Sequence, residues 1–390
     1  MSQEKKYSDT KMLKDERRVV GIVALIAMFR MFGLFALLPV LSIFARELHG
    51  ATPFLVGVSV GAYGLTQALF QIPMGLLSDK IGRKAVIIFG LFVFIVGSLV
   101  AAYSGSIYGV IIGRFLQGAG AISATLAALL ADTTREEVRT KSMALLGVGI
   151  GASFLLALIL GPIIAALFGV RSLFFLAAFV ALLAMILLSL IPNSHKKIAP
   201  LVRLNIKEAF KPQLLMLDLH VYILHLILTM MFVVLPVILV DQLNISLVNH
   251  WKIYVSSLIV SLLFSVPMII NDRRMGKKIF LFVSVILLLL SQLILVSSTN
   301  SMLSITASLV FFFSGFNFLE ASLPAKLSIL AKNELKGASL GVFSSFQFLG
   351  AFSGGILGGW LIFTLEPQNI FTFTAVLIVL WLLSLVFYKD

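Results

Sequence analysis

Four ionisable residues stand inside long apolar runs: Arg30, Arg114, His225 and Glu320. A charge in hydrocarbon costs about 2.5–3.5 kcal/mol on insertion scales, so such side chains face protein or water and mark ion or substrate paths. Glu320 is the candidate proton carrier. Dehydration favours the neutral acid and a nearby arginine favours the anion, so a change of shape can load and release a proton. The rival reading is a static Glu–Arg latch or polar packing. Arg30 and Arg114 stay charged, which suits an anionic substrate group or the tuning of Glu320; the plain alternative is a structural role, with Arg114 hydrogen-bonding backbone carbonyls of the first or fourth span. His225 can relay protons near neutrality or simply pack. Asp218, seven residues earlier, reads as a favourable charge near a helix N-terminus, and His220 is given no role.

A second group forms the charged stretch Gly75-Leu76-Leu77-Ser78-Asp79-Lys80-Ile81-Gly82-Arg83-Lys84, set between two apolar runs. Gly75 allows close helix approach and Gly82 a tight turn. Asp79 can accept N–H bonds at the start of a neighbouring helix. These features suit a gate; the alternative is that the charges only set topology.

The elements that carry these residues are dictated by composition. The chain has 390 residues, 60% hydrophobic and only 12% charged, with mean hydropathy +1.08. A water-soluble exterior cannot be made from so few polar groups. Apolar runs near 19–45, 54–77, 84–104, 107–131, 142–167, 172–191, 214–240, 249–270, 279–298, 302–331, 338–364 and 369–387 predict twelve membrane-spanning helices. The fold class is therefore an all-α integral membrane protein, its runs being continuous rather than alternating as in a strand barrel. All but five of the 30 Lys and Arg fall on alternate segments that share one side with both termini. Arg46, Arg171 and Lys252 lie opposite, and Arg30 and Arg114 lie within the membrane. The positive-inside rule makes both termini cytoplasmic.

The net charge of +13 is spread over these loops, which argues against nucleic acid as a partner. There is no cysteine, hence no disulfide framework or thiolate metal site. No phosphate-binding loop, metal-ligand spacing or nucleophile–base pair is visible, so neither ATP, a cofactor nor enzymatic chemistry is expected. Residues 1–18 lack the features of a cleaved signal peptide.

The chain repeats itself. Phe70-Gln71-Ile72-Pro73-Met74 before Gly82-Arg83-Lys84 matches Phe264-Ser265-Val266-Pro267-Met268 before Gly276-Lys277-Lys278, 194 residues later. Phe35 to Val40 likewise matches Phe232 to Val237 at an offset of 197. Two six-helix halves in parallel orientation follow, 1–191 and 214–390, joined by a polar linker at 192–213 in which Val202 to Phe210 suits a short interfacial helix. The residues Arg30, Arg114, His225 and Glu320 then sit on spans 1, 4, 7 and 10, the first of each three-helix unit, and imply a shared cavity between the halves. Glycines at 57 and 61, and at 350, 354 and 358 with 355 and 359, allow close helix crossing.

The hairpin resembles the signature between helices 2 and 3 of the major facilitator superfamily. Arg114-Phe115-Leu116-Gln117-Gly118-Ala119-Gly120-Ala121 is similar to a second signature, and Gly161-Pro162 to part of the motif of its drug/proton antiporter branch. Ala157 and Ala165-Ala166 replace glycines usual in that motif. Tyr63 to Ala68, Pro192-Asn193-Ser194 and Phe346 to Gly350 resemble one bacterial inner-membrane subgroup, whose members often carry a soluble domain after helix 12, whereas this sequence ends at Asp390. The resemblance implies two pseudo-symmetric six-helix bundles, an Asp79 contact to the start of helix 11 near Gly337-Ala338-Ser339, and a gate completed by Arg83 and Asp132. Arg273 stands where the repeat would put Asp79. It also implies a monomeric secondary transporter of the bacterial inner membrane that moves small, partly apolar molecules outward against protons. The alternatives are an importer of a small anionic metabolite or sugar, and a non-transporting receptor.

Overall fold

In the computed structural model, which describes residues 11–191, 211–275, 278–332, 335–364 and 367–387, helices follow one another almost without interruption. The first half contains α1 (Lys14–Phe35), α2 (Pro53–Ile81), α3 (Arg83–Tyr103), α4 in two pieces (Ile107–Ala119 and Ser123–Thr133), α5 (Glu136–Phe168) and α6 (Arg171–Ser189). The second contains α7 (Pro212–Asp241), α8 (His250–Met275), α9 (Ile279–Ser297), α10 (Met302–Leu330), α11 (Lys336–Thr364) and α12 (Pro367–Phe387). Eleven of these elements are long and apolar enough to cross a membrane, and α12 adds a shorter apolar stretch, Asn369–Leu385. The expected interfacial helix at Val202 to Phe210 lies outside the described residues, as does the Arg273 side chain.

The expected spans hold with local corrections. The first does not run unbroken to residue 45: α1 ends at Phe35, and after a turn a short helix, Leu41–Ala45, resumes. Pro39 lacks an N–H and its ring displaces the carbonyl four residues back, which is that of Phe35. Its repeat partner Pro236 stays inside α7, so the halves differ there. The fourth span breaks at Gly120, Ala121 and Ile122. The fifth extends back to Glu136, beside an ionic anchor in which Glu16 Oε1 accepts from both the backbone N and the Nε of Arg135 at 3.0 Å. Pro212 and Gln213, assigned to the linker, form the first turn of α7, where proline's missing donor costs nothing.

Within the first bundle α1 packs on α5 and α6, and α4 on α2 and α3; within the second α10 packs on α8 and α9, and α7 on α11. The bundles meet mainly through α2 against α11 and through α5 against α8. Large apolar side chains such as Phe89, Phe92 and Leu263 remain exposed and so contact lipid tails in the membrane.

Candidate proton site, arginine pair and gates

Glu320 on α10, His225 on α7 and Gln347 on α11 converge. The His225 Nδ1 lies 3.1 Å from the Val221 carbonyl, which can only accept, so Nδ1 donates and the neutral ring offers Nε2 as an acceptor. The Gln347 amide nitrogen is 2.9 Å from that Nε2 and donates at 3.1 Å to Glu320 Oε1. Among the described residues the second carboxyl oxygen, Oε2, has no hydrogen-bond donor, and it stands 3.6 Å from His225 Nε2. The Glu320 side chain is 42% exposed and that of His225 is 11% exposed, but the Oε2 atom itself is buried against the imidazole. Gln347 was not singled out for chemistry, although an amide flanked by Phe346 and Phe348 in a gly-rich helix was its visible signal.

Arg30 and Arg114 lie elsewhere: both are buried in the first bundle and neither bonds to Glu320. Arg30 donates to the Tyr63 hydroxyl at 2.7 Å, to Gln67 Oε1 at 2.8 Å and to the Gly120 carbonyl at 2.7 Å. The last carbonyl is free because α4 breaks there. Arg114 donates to Gln117 at 2.9 Å and to the carbonyls of Ser59 and Val60, both at 3.4 Å. Their guanidinium carbons lie 5.7 and 5.2 Å from the Tyr63 ring centre, so one aromatic ring serves two cations. Tuning of Glu320 by direct contact with either arginine is therefore not seen; Arg114 does bond backbone carbonyls, but those of α2 rather than of the first or fourth helix as expected. The glycines of that signature have a steric reason: a Cβ at Gly118 would sit 2.1 Å from the Tyr63 carbonyl oxygen, and one at Gly120 2.2 Å from that of Gly90.

At the hairpin, Gly82 takes φ +99°, which a side chain would strain. Arg83 pairs with Asp79, with Asp132 at 3.0 Å and with the Ser78 hydroxyl at 2.6 Å, so the expected three-residue charge network forms. Asp79 bonds within its own hairpin; among the described residues no hydrogen bond joins it to the start of α11. Gly75 has no close helix neighbour either, since an added Cβ would meet only Ala124 at an ordinary 3.7 Å.

The opposite face is tightly shut. A Cβ at Gly57 would fall 2.1 Å from the Gly355 carbonyl oxygen, and Gly61 and Gly64 meet the carbonyls of Phe352 and Phe348 at 2.7 and 2.4 Å. Towards the hairpin the same helix pair loosens, with Gly341 meeting Ile72 only at 3.8 Å. The shut face carries an ion pair that sequence reasoning missed: Arg46, after α1, donates two bonds to Asp241, at the end of α7, at 2.5 and 3.0 Å. The two positions are 195 residues apart, close to the repeat offset, and the opposite charges at equivalent helix ends were the available signal. Both side chains are partly exposed, 36% and 46%, so the pair is worth no more than about 1 kcal/mol. Arg46→Gln is expected to open this face a few-fold more often, and the exchange Arg46→Asp with Asp241→Arg to restore closure, read by labelling of a single introduced cysteine in the cys-free chain.

Comparison with known proteins agrees with this architecture. Residues 23–355 match the profile of the Major Facilitator Superfamily. The chain is 40% identical over 383 residues to the inner membrane transport protein YajR of Escherichia coli (strain K12), covering 96% of this chain and 84% of that one. It is 26% identical to multidrug resistance protein 1 of Bacillus subtilis (strain 168), covering 85% and 86% respectively. The crystal structure of a D-xylose–proton symporter superimposes with a TM-score of 0.77 at 15% identity, over 94% of this chain and 96% of that one, and shares the fold.

Proposed function

Because the chain belongs to the major facilitator superfamily, we propose that it is a proton-coupled secondary transporter that exports small, partly apolar compounds by alternating access. The observation that carries this reading is the Glu320–Gln347–His225 cluster, a half-exposed acid side chain whose second carboxyl oxygen is buried without a hydrogen-bond partner among the described residues, beside the imidazole. A proton taken up by His225 turns Nε2 into a donor facing Glu320 Oε2 and makes the Gln347 amide a competitor instead of a partner. The amide must then turn, and it belongs to α11, the helix that crosses to the first bundle. Protonation of Glu320 releases that strain differently, because a neutral acid both donates and accepts. Proton occupancy is thereby linked to the α2–α11 contact.

The excess of cations on the hairpin side supports a cytoplasmic position for that face and for both termini, in a bacterial inner membrane. In this state the outer face is shut by the glycine contacts and Arg46–Asp241, while Asp79, Arg83 and Asp132 pair among themselves. On closure of the inner face Asp79 exchanges Arg83 for the start of α11, with Gly75 and Gly82 giving the room and the turn. Export is favoured by the similarity over most of both chains to a protein named for multidrug resistance. The transporter acts as a monomer, with no cofactor besides the proton.

The test is accumulation of a panel of cationic, anionic and neutral aromatic compounds in liposomes holding the purified protein. Uptake that follows an imposed pH gradient, and collapses with a protonophore, supports the proposal. Uptake indifferent to the gradient contradicts it.

A further inference from the structure

Arg30 and Arg114 bring two positive charges into the first bundle, and among the described residues no carboxylate bonds to either. They are 1% and 0% exposed, a setting in which a charge without a counter-ion is costly. Carbonyl, amide and hydroxyl oxygens and the Tyr63 face satisfy most of their donors, but Arg30 Nε has no acceptor. Arg30 also lines a small pocket with Ala27, Met31, Ser123, Leu126, Leu146 and Ile150, contributed by α1, α4 and α5. Its free space of about 30 Å³ admits a small head group and not a whole molecule. Apart from Arg30, Ser123 brings the only polar side chain to its wall.

One helical turn from Met31 and Ile150, Phe35 and Phe154 meet edge to face with centroids 5.2 Å apart. Phe154 reaches across to Phe313 of α10 at 6.4 Å, Phe313 touches Phe312 at 5.7 Å, and Phe312 stacks on Phe316 at 5.8 Å. Phe316 ends the row against the His225 ring at 5.7 Å. A row of aromatic rings thus joins the cationic pocket of one bundle to the proton site of the other.

From this we infer that the pocket and the ring row bind an organic anion with an aromatic or otherwise apolar body. The head group takes the Arg30 Nε donor and the Ser123 hydroxyl, and the body extends towards the part-buried rings of Phe35 and Phe154. A carboxylate or sulfonate supplies both the missing acceptor and negative charge beside two buried cations. A cationic compound of the same shape adds a third positive charge, and a neutral one gains only apolar contact. Substrate and proton then occupy opposite ends of the row. This inference rests on the transport reading above and names its substrate class.

Thermal unfolding of the purified full-length protein in detergent, titrated with naphthoate, naphthylmethylammonium and naphthylmethanol at one fixed pH, tests it. Naphthoate is expected to stabilise the wild type in a saturable way, through preferential binding to the folded state, and the ammonium compound is not. Arg30→Gln should weaken naphthoate at least about tenfold. Because Arg30 also holds Tyr63, Gln67 and Gly120, Ile150→Trp provides a second arm: it fills the pocket from the α5 side, leaves Arg30 itself unsubstituted, and should weaken naphthoate similarly. Absence of naphthoate binding to the wild type, equal stabilisation by the ammonium compound, or full naphthoate affinity in Ile150→Trp would each overturn the assignment. Gradient-driven uptake of cations with no naphthoate binding would sink this inference and spare the transport reading. Naphthoate binding with no gradient-dependent uptake of any compound would do the reverse.

Discussion

Glu320→Gln is expected to abolish accumulation driven by a pH gradient while leaving the protein folded. The glutamine keeps the size of the side chain and an oxygen for the Gln347 amide, which donates to Glu320 at 3.1 Å, but it cannot bind or release a proton. With side-chain size and the Gln347 contact conserved, the unfolding midpoint should stay close to that of the wild type. Gradient-driven uptake in liposomes should fall at least about tenfold, the size of a coupling of about 1.4 kcal/mol, while exchange without a gradient persists. Accumulation at the wild-type level would remove Glu320 from the coupling path.

The second large effect belongs to the shut face. At Gly57 an added Cβ would lie 2.1 Å from the Gly355 carbonyl oxygen and 2.6 Å from the Gly359 Cα, and these are backbone atoms that cannot step aside as a flexible side chain can. Gly57→Val must push α2 and α11 apart. Overpacking of this kind costs about 1–3 kcal/mol or more, which corresponds to a shift of roughly five- to 150-fold in a two-state balance. A single cysteine introduced at Leu38, near that face, should therefore react with maleimide at least about tenfold faster in Gly57→Val than in the parent. Equal reaction rates would mean that the glycine contacts do not hold the face closed.

Much of this arrangement is readable from the residues, and the parts that are not share a cause. Long apolar runs place helices because length and hydropathy are local quantities, and the repeated Phe-x-x-Pro-Met stretches give the two halves directly. The turn at Gly82 is also legible, whereas the network of Arg83 with Asp79 and Asp132 follows from the resemblance, because Asp132 comes from the far end of α4 and nothing local ties it to the hairpin. Azimuth is harder. Arg30 and Arg114 sit at depths that suggested a central cavity, yet both turn into the first bundle. The polar stripe Tyr63, Gln67 and Gln71, spaced by four on α2, was the sign that partners awaited them there. Asp218 reads as a charge at a helix start, but α7 begins at Pro212, so it lies in the second turn, 1% exposed and without a hydrogen bond among the described residues. The helix-end effect fades within one turn, so that reading does not account for it. Pro39 and Pro236 show the remaining limit: equivalent prolines in equivalent stretches break α1 and leave α7 whole, a choice made by packing around each helix.

The central claim is that a proton on the Glu320–Gln347–His225 cluster sets the contact between α2 and α11. Its most direct test is the distance between spin labels on cysteines placed at Ile81 and Leu340, one at the end of α2 and one near the start of α11, both exposed. The wild-type distribution is predicted to shift as pH is lowered, and Glu320→Gln to hold the protonated distribution at every pH. A wild-type distance that ignores pH, or a pH shift that survives in Glu320→Gln, would contradict the account.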